Sequence, residues 1–157
     1  MTRRVFCALA LLGTAACVHM KVERGSATSA SSASLTPTAA LAEVTAMMGR
    51  SAASWNRGDL DAFLADYEPA ATYVGRSRVL RGRDEIRTAY AARFAPGGLR
   101  DSLSFENVEV DVLGPDVVHT IAWYRLTRGD STTGHGPTSL LMRRSDGRWR
   151  IVHDHSS

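Results

Sequence analysis

Apolar positions recur at helical spacing in the first half of the folded chain and at strand spacing in the second. Thr36-Pro37 sets up a helix start, with a hydroxyl at the N-cap and proline at the first helical position. Leu41, Val44, Met48 and Trp55 then lie on one stripe with the small Ala52, and Gly58 ends the helix. Asp59 caps a second, shorter helix carrying Leu60, Phe63, Leu64 and Tyr67. A short extended piece is predicted at Thr72–Val74. Gly82 to Phe94 reads as a third helix with Ile86, Tyr90 and Phe94 on one face, stopped by Pro96-Gly97-Gly98.

Beyond Gly98 the period changes to two. Leu103 and Phe105 alternate, then Val108, Val110 and Val112 alternate in the opposite phase, which predicts a β-bulge at Glu106-Asn107 and a bent strand. Gly114-Pro115-Asp116 is a turn, Val117–Leu126 a strand and Arg128-Gly129-Asp130 a second turn. Thr133–Met142 is a further strand, and Asp146-Gly147 makes a tight hairpin into Arg148–His155. Helices followed by a meander of long strands define an α+β layout. The expected architecture is a cone-shaped barrel, a bent antiparallel sheet packed on three N-terminal helices, with a pocket inside.

The N-terminal stretch does not share this patterning. Met1 to Arg4 is a short basic region, Val5–Leu12 is apolar, and Gly13-Thr14-Ala15-Ala16-Cys17 supplies small residues suited to cleavage. Residues 1–16 therefore read as a signal peptide, too short in their apolar run to span a bilayer. Cys17 is placed as the acylated cysteine of a bacterial lipoprotein would be, although Thr14 stands where leucine is usual; cleavage after Ala16 with a free thiol is the alternative. Residues 17–35, rich in serine and alanine, read as a flexible tether, and residues 36–157 as one folded domain. The expected localisation is exported and membrane-anchored through lipid, or else secreted or periplasmic. No later apolar run approaches the length of a transmembrane helix.

Composition adds exclusions. The 157-residue chain is 44% hydrophobic and 22% charged, as an ordinary globular protein is. Its 19 basic residues outnumber 16 acidic ones, but loss of Arg3 and Arg4 with the signal leaves 17 against 16. The basic residues are scattered and nearly all arginine, so no nucleic-acid surface is expected. The two cysteines, Cys7 and Cys17, both precede the folded domain, which therefore contains no disulfide. No Ser-His-Asp order, glycine-rich phosphate loop or metal-spaced Cys/His set occurs, and no cofactor is expected.

Candidate chemistry gathers on the last hairpin. With a two-residue loop at Asp146-Gly147, Arg144 opposes Trp149, Met142 opposes Ile151, Leu140 opposes His153 and Thr138 opposes His155. That register sends Trp149, Ile151, His153 and His155 into the pocket and leaves Arg143, Arg150 and Asp154 outside. Three roles stay open for the two histidines: metal ligands, for which only His119 and His135 are available as companions; ligand binding or acid–base chemistry; or a hydrogen-bonded structural pair. Trp123 and Arg125 alternate on the neighbouring strand, where the guanidinium suits a carboxylate clamp or a pairing with Glu109 or Asp111. Asp66 and Glu68 sit near a helix end and are expected to be exposed.

Four segments carry a family resemblance: Trp55-Asn56-Arg57-Gly58-Asp59-Leu60-Asp61-Ala62-Phe63; Ala71-Thr72-Tyr73; Arg81-Gly82-Arg83-Asp84-Glu85-Ile86; and the ending Trp149-Arg150-Ile151-Val152-His153-Asp154-His155-Ser156. Over residues 38–157 the chain resembles the nuclear-transport-factor-2-like (cystatin-like) superfamily, and within it the bacterial SnoaL-like proteins of unknown function. The W-x-x-V-H-x-H-x-S ending and Ile121–Thr127 also resemble the association domain of calcium/calmodulin-dependent protein kinase II. The resemblance implies a small-molecule pocket lined by Trp55, Tyr67 and Tyr73 together with Trp123, Arg125, His153 and His155. It implies an anion site at Arg125, depleted here because Leu140 stands where the kinase hub has a second arginine. It also implies a homodimer through the outer sheet face, to which Val152, Leu141 and Tyr124 would contribute. In the resembling steroid isomerases a carboxylate base follows the Ala-Thr segment; here Gly75 stands at that place, which counts against an isomerase.

The expectation is thus an exported, lipid-anchored domain that binds a small apolar or weakly anionic molecule. One alternative is a non-catalytic association module of the cell envelope. Another is an acid–base enzyme of the isomerase, cyclase or dehydratase type, using His153 or His155 as base with Arg125 or Tyr73 stabilising negative charge. An accessory domain for a separate envelope enzyme is a third.

Overall fold

A computed structural model describes residues 35–157. Cys17 and the segments read as signal peptide and, as far as residue 34, tether lie outside the described residues. Leu35, the last residue assigned to the tether, packs against the core, so the domain reaches back one residue further than its helix start predicts.

Helix α1 runs Pro37–Arg57, its first turn capped by Thr36 Oγ1, which accepts from the Ala39 N–H at 3.2 Å. Gly58 closes it in the left-handed conformation (φ 79°). The buried stripe is Ala40, Val44, Met47, Met48, Ser51, Ala52 and Trp55. Leu41, expected on that stripe, lies one residue (100°) away from it and is 41% exposed. Helix α2, Leu60–Leu64, is capped by Asp59, whose carboxylate accepts from the Ala62 N–H at 2.9 Å.

Tyr67 then opens a strand, where the sequence pattern had placed it on the helix. β1 (Tyr67–Val74) turns into β2 (Val79–Arg81), a hairpin that extends the short predicted piece on both sides, and α3 spans Arg83–Phe94. β3 (Ser102–Gly114), β4 (Val117–Arg128), β5 (Ser131–Ser145) and β6 (Arg148–Ser156) form the expected meander. The strands lie in the order β2-β1-β6-β5-β4-β3. β1 pairs parallel to β6, so the sheet is mixed and not wholly antiparallel. It also stays open, with β2 and β3 as its edges, and does not close into a barrel. The α+β class is as expected.

Two of the register shifts in this sheet decide which side chains face the core. The first lies where the alternation changes phase: Asn107 takes φ 53° and the β3–β4 register skips between Glu106 and Glu109. Asparagine tolerates that left-handed geometry better than most residues. It keeps Phe105 on the core side before the bulge and Val108, Val110 and Val112 on it afterwards.

The second bulge is on β6 and reverses part of the predicted facing. The hairpin turns at Asp146 (φ 52°) and Gly147 (φ 71°), and pairing runs as predicted as far as Met142–Ile151. The next pair is Leu141–His153, leaving Val152 unpaired. One inserted residue exchanges the two faces of everything that follows, because strand side chains alternate with period two. Asp154 now opposes Leu140 and is buried at 5% exposure, while His155 opposes Ser139 and is exposed. The prediction that His153 and His155 point inward and Asp154 outward is corrected.

α1 packs on β3 and β6 and α3 on β1 and β2, and in the core they share, Val44, Met47, Leu64, Ile86, Val118 and Met142 are almost wholly buried. The packing stops short of filling the cone.

Candidate functional site

The unfilled space is a cavity of about 290 Å³, near the lower end of the roughly 300–1,000 Å³ typical of ligand pockets. α1 contributes Met47, Met48, Ser51 and Trp55, and α2 contributes Phe63. Tyr67 and Tyr73 come from β1, and Tyr90 from α3. The sheet supplies Phe105, Tyr124, Leu126, Thr138, Leu140, Ile151, Asp154 and Ser156.

An aromatic cluster builds one wall. Trp55 packs edge-on against Phe63, Tyr90 and Phe94 at centroid distances of 5.1–5.4 Å. Its indole N–H donates to the Asp101 carbonyl at 2.7 Å, which ties α1 to the segment entering β3. Buried indole and phenol groups need such partners, so the hydrogen bond also fixes how the ring meets the cavity.

Asp154 is the one acidic residue among those lining the cavity. Tyr67 Oη donates to its Oδ2 and Ser156 Oγ to its Oδ1, each at 2.7 Å. Ser156 Oγ also lies 2.9 Å from Thr138 Oγ1. Burial raises the Asp154 carboxyl above the ordinary carboxylate range, against the opposing pull of these hydroxyl donors and of His153. Burial and the Asp154 charge push Tyr67 well above the usual phenol range; burial does the same for Tyr90 and raises Tyr73. Near neutral pH the phenols are therefore neutral. Each carboxyl oxygen holds one donor and retains a second lone pair. Such a group can accept a hydrogen bond from a bound hydroxyl or amide, or take a proton from a carbon acid.

The expected site residues divide into two sets. Trp55, Tyr67 and Tyr73 line the cavity. Trp123, Arg125, His153 and His155 lie on the opposite face of the sheet, because β4 alternates with Ala122, Tyr124 and Leu126 inward and the β6 bulge turns both histidines out. Trp123 stacks on His135 at 5.0 Å. Arg125 pairs with Glu106 at 2.7 Å, in place of Glu109 or Asp111, and also reaches Thr132 at 3.2 Å. His153 Nδ1 lies 2.6 Å from Thr72 Oγ1. Among the described residues no group of three or more His, Cys, Asp or Glu comes together to hold a metal.

Other expectations shift with the same geometry. Tyr124, assigned to the outer face, turns into the cavity, its hydroxyl donating to the Ser157 carbonyl at 3.1 Å. Asp66 and Glu68 are partly buried, not exposed: burial raises the Asp66 carboxyl, and the Glu68 side chain is 13% exposed beside Arg143. Asp154, Ser156 and Tyr90 are among the cavity residues that sequence reasoning did not assign to the site. One sign was available: the adjacent apolar pair Ile151-Val152 interrupts the alternation just where the bulge falls.

A bent sheet wrapped over helices around an aromatic cavity is the nuclear-transport-factor-2-like architecture, and comparison with solved structures agrees. A protein of unknown function of this fold from Shewanella oneidensis MR-1 superposes with TM-score 0.68 at 27% identity, over 78% of this chain and 99% of that one. A Xanthomonas campestris protein assigned as a calcium/calmodulin-dependent protein kinase II association domain gives 0.60 at 18%, over 73% and 84%. A Novosphingobium aromaticivorans protein assigned as a scytalone dehydratase gives 0.64 at 12%, over 73% and 80%. The last two show a shared fold alone. No curated protein matches the chain. The SnoaL-like domain family matches residues 44–157, and the chain belongs to that family.

Proposed function

We propose that the domain binds a small, largely apolar molecule inside the cone and that Asp154 accepts a hydrogen bond from a donor group on it. One observation carries this reading: a buried carboxyl group, already gripped by Tyr67 and Ser156, faces a cavity that it shares with aromatic and aliphatic side chains such as Trp55, Phe63, Tyr90 and Leu140. Burying a carboxyl group is costly, and a mere structural role would be met as well by an uncharged residue. The acid–base candidate inside the cavity is thus Asp154, not the two histidines. Native mass spectrometry of the full chain purified from its host tests the reading. A retained small molecule, weakened or lost in Asp154→Ala, is the expected result. An empty wild-type protein that also ignores a panel of one- and two-ring compounds overturns it.

We further propose that the protein is exported and acylated at Cys17, on the strength of the basic, apolar and small-residue order of residues 1–17. Cys17→Ser would then move the protein from the membrane fraction to the soluble one. An association role has separate support, since Ile121 (40%) and Trp123 (38%) stand exposed on the outer sheet face. Light scattering on wild type and Trp123→Glu tests it: a dimer that the charge splits supports pairing through this face, and a monomer at high concentration refutes it.

A further inference from the structure

The cavity has a cationic rim. Gly75-Arg76-Ser77-Arg78 forms the turn between β1 and β2, closed by the Gly75 N–H donating to the Arg78 carbonyl at 3.0 Å. Arg93 stands in the last turn of α3. All three arginines line the cavity and are exposed. The arginines engaged in ion pairs among the described residues lie elsewhere, as Arg125 does with Glu106 and Arg87 with Asp61.

The turn is seated on a cavity wall. A Cβ at Gly75 would come within 3.0 Å of the Tyr73 ring, so this backbone folds directly onto Tyr73. Arg93 is close enough for its charge to favour the ionised forms of both Tyr73 and Tyr90, partly opposing the effect of burial. Three exposed arginines therefore border the aromatic lining, while the one carboxyl of the lining, Asp154, is held by Tyr67 and Ser156.

We propose that the ligand of this cavity is an organic carboxylate: a ring-sized apolar body among Tyr73, Tyr90 and Phe105, with its carboxylate on Arg76, Arg78 and Arg93. Arginine is suited to this task because its planar fork matches the two carboxylate oxygens. The inference rests on the cavity being a binding site, and it replaces Arg125, on the outer face, as the anion-recognising group.

Binding of two matched probes to the full chain tests it. Naphthalene-2-carboxylate and 2-acetylnaphthalene have nearly the same size, and only the first is charged. In low salt the carboxylate is expected to bind about tenfold more tightly, an advantage that shrinks in 1 M NaCl through screening. The triple substitution Arg76→Gln, Arg78→Gln, Arg93→Gln should abolish the advantage and leave 2-acetylnaphthalene unchanged, which also reports that the fold is intact. Equal affinity of the two probes for wild type, or a preference that survives the triple substitution, overturns the carboxylate inference and leaves the cavity as a binding site. Failure of both probes to bind wild type overturns both.

Discussion

Replacing Asp154 with asparagine measures how the cavity holds its one carboxyl group. Two hydroxyls donate to it at 2.7 Å, and each such bond to a charged acceptor contributes about 1.5–3 kcal/mol. Against that stands the cost of taking a carboxylate out of water, several kcal/mol even after relaxation. These two quantities are of similar size, so the direction of the titration decides between them. Burial prevails, and the folded carboxyl holds its proton above its ordinary value of 3.8. The stability that the neutral carboxyl provides is therefore complete below about pH 3.8 and is lost as pH rises through the folded value. Asparagine stays neutral throughout. Its carbonyl accepts from Tyr67, and its amide donates to Ser156. We expect Asp154→Asn to match or exceed wild type at pH 8, within about 1 kcal/mol, and to lose that relative advantage as pH falls toward 4. Urea unfolding of both proteins between pH 4 and 8 measures this, and the comparison cancels carboxyl groups common to both. A wild-type advantage that widens with rising pH would falsify the argument, since it would mean that the ionised carboxylate stabilises the fold. Asp154→Ala behaves differently: it removes the acceptor for the Tyr67 hydroxyl and should cost about 1–3 kcal/mol across the range.

Three other substitutions probe separate parts of the fold. Trp55→Ala removes a ring that is 3% exposed, along with its bond to Asp101, and should cost about 3–5 kcal/mol in chemical denaturation. His153→Ala and His155→Ala, on the outer face, should leave ligand affinity within twofold of wild type; a larger loss in titration would place a histidine in the site after all. Asn107→Val forces a β-branched side chain into φ 53° and should lower stability by roughly 1–2 kcal/mol, whereas Asn107→Gly should be nearly neutral. If valine proves harmless in thermal melts, the left-handed bulge is not the conformation of β3.

Local patterning accounts for much of the fold. The capped starts at Thr36 and Asp59, the left-handed stop at Gly58, the Asp146-Gly147 hairpin and the phase slip at Asn107 are each set by residues within a few positions of one another. Their chemistry is short-ranged, so it can be read without knowing what packs against them. Trp55 was legible for the same reason, since it sits where the helical period of α1 points inward, whereas Tyr67, expected on the preceding helix, reaches the cavity from β1.

What only the tertiary structure decided is the polar half. β1 joins β6 in parallel across more than seventy residues of intervening chain, and the β6 bulge at Val152 lies where β1 is itself irregular between Tyr67 and Thr72. No neighbour of Val152 in sequence requires that bulge. Its consequence is a one-residue change of phase that exchanges Asp154 with the two histidines and so decides which titratable group faces the cavity. The arginine rim has the same origin, because Arg76 and Arg78 come from the β1–β2 turn and Arg93 from the end of α3, and only the folded chain brings all three to one cavity. The local rules determined which elements form. Register and long-range packing determined the face each side chain presents, because a strand's period of two turns a single inserted residue into an exchange of inside and outside.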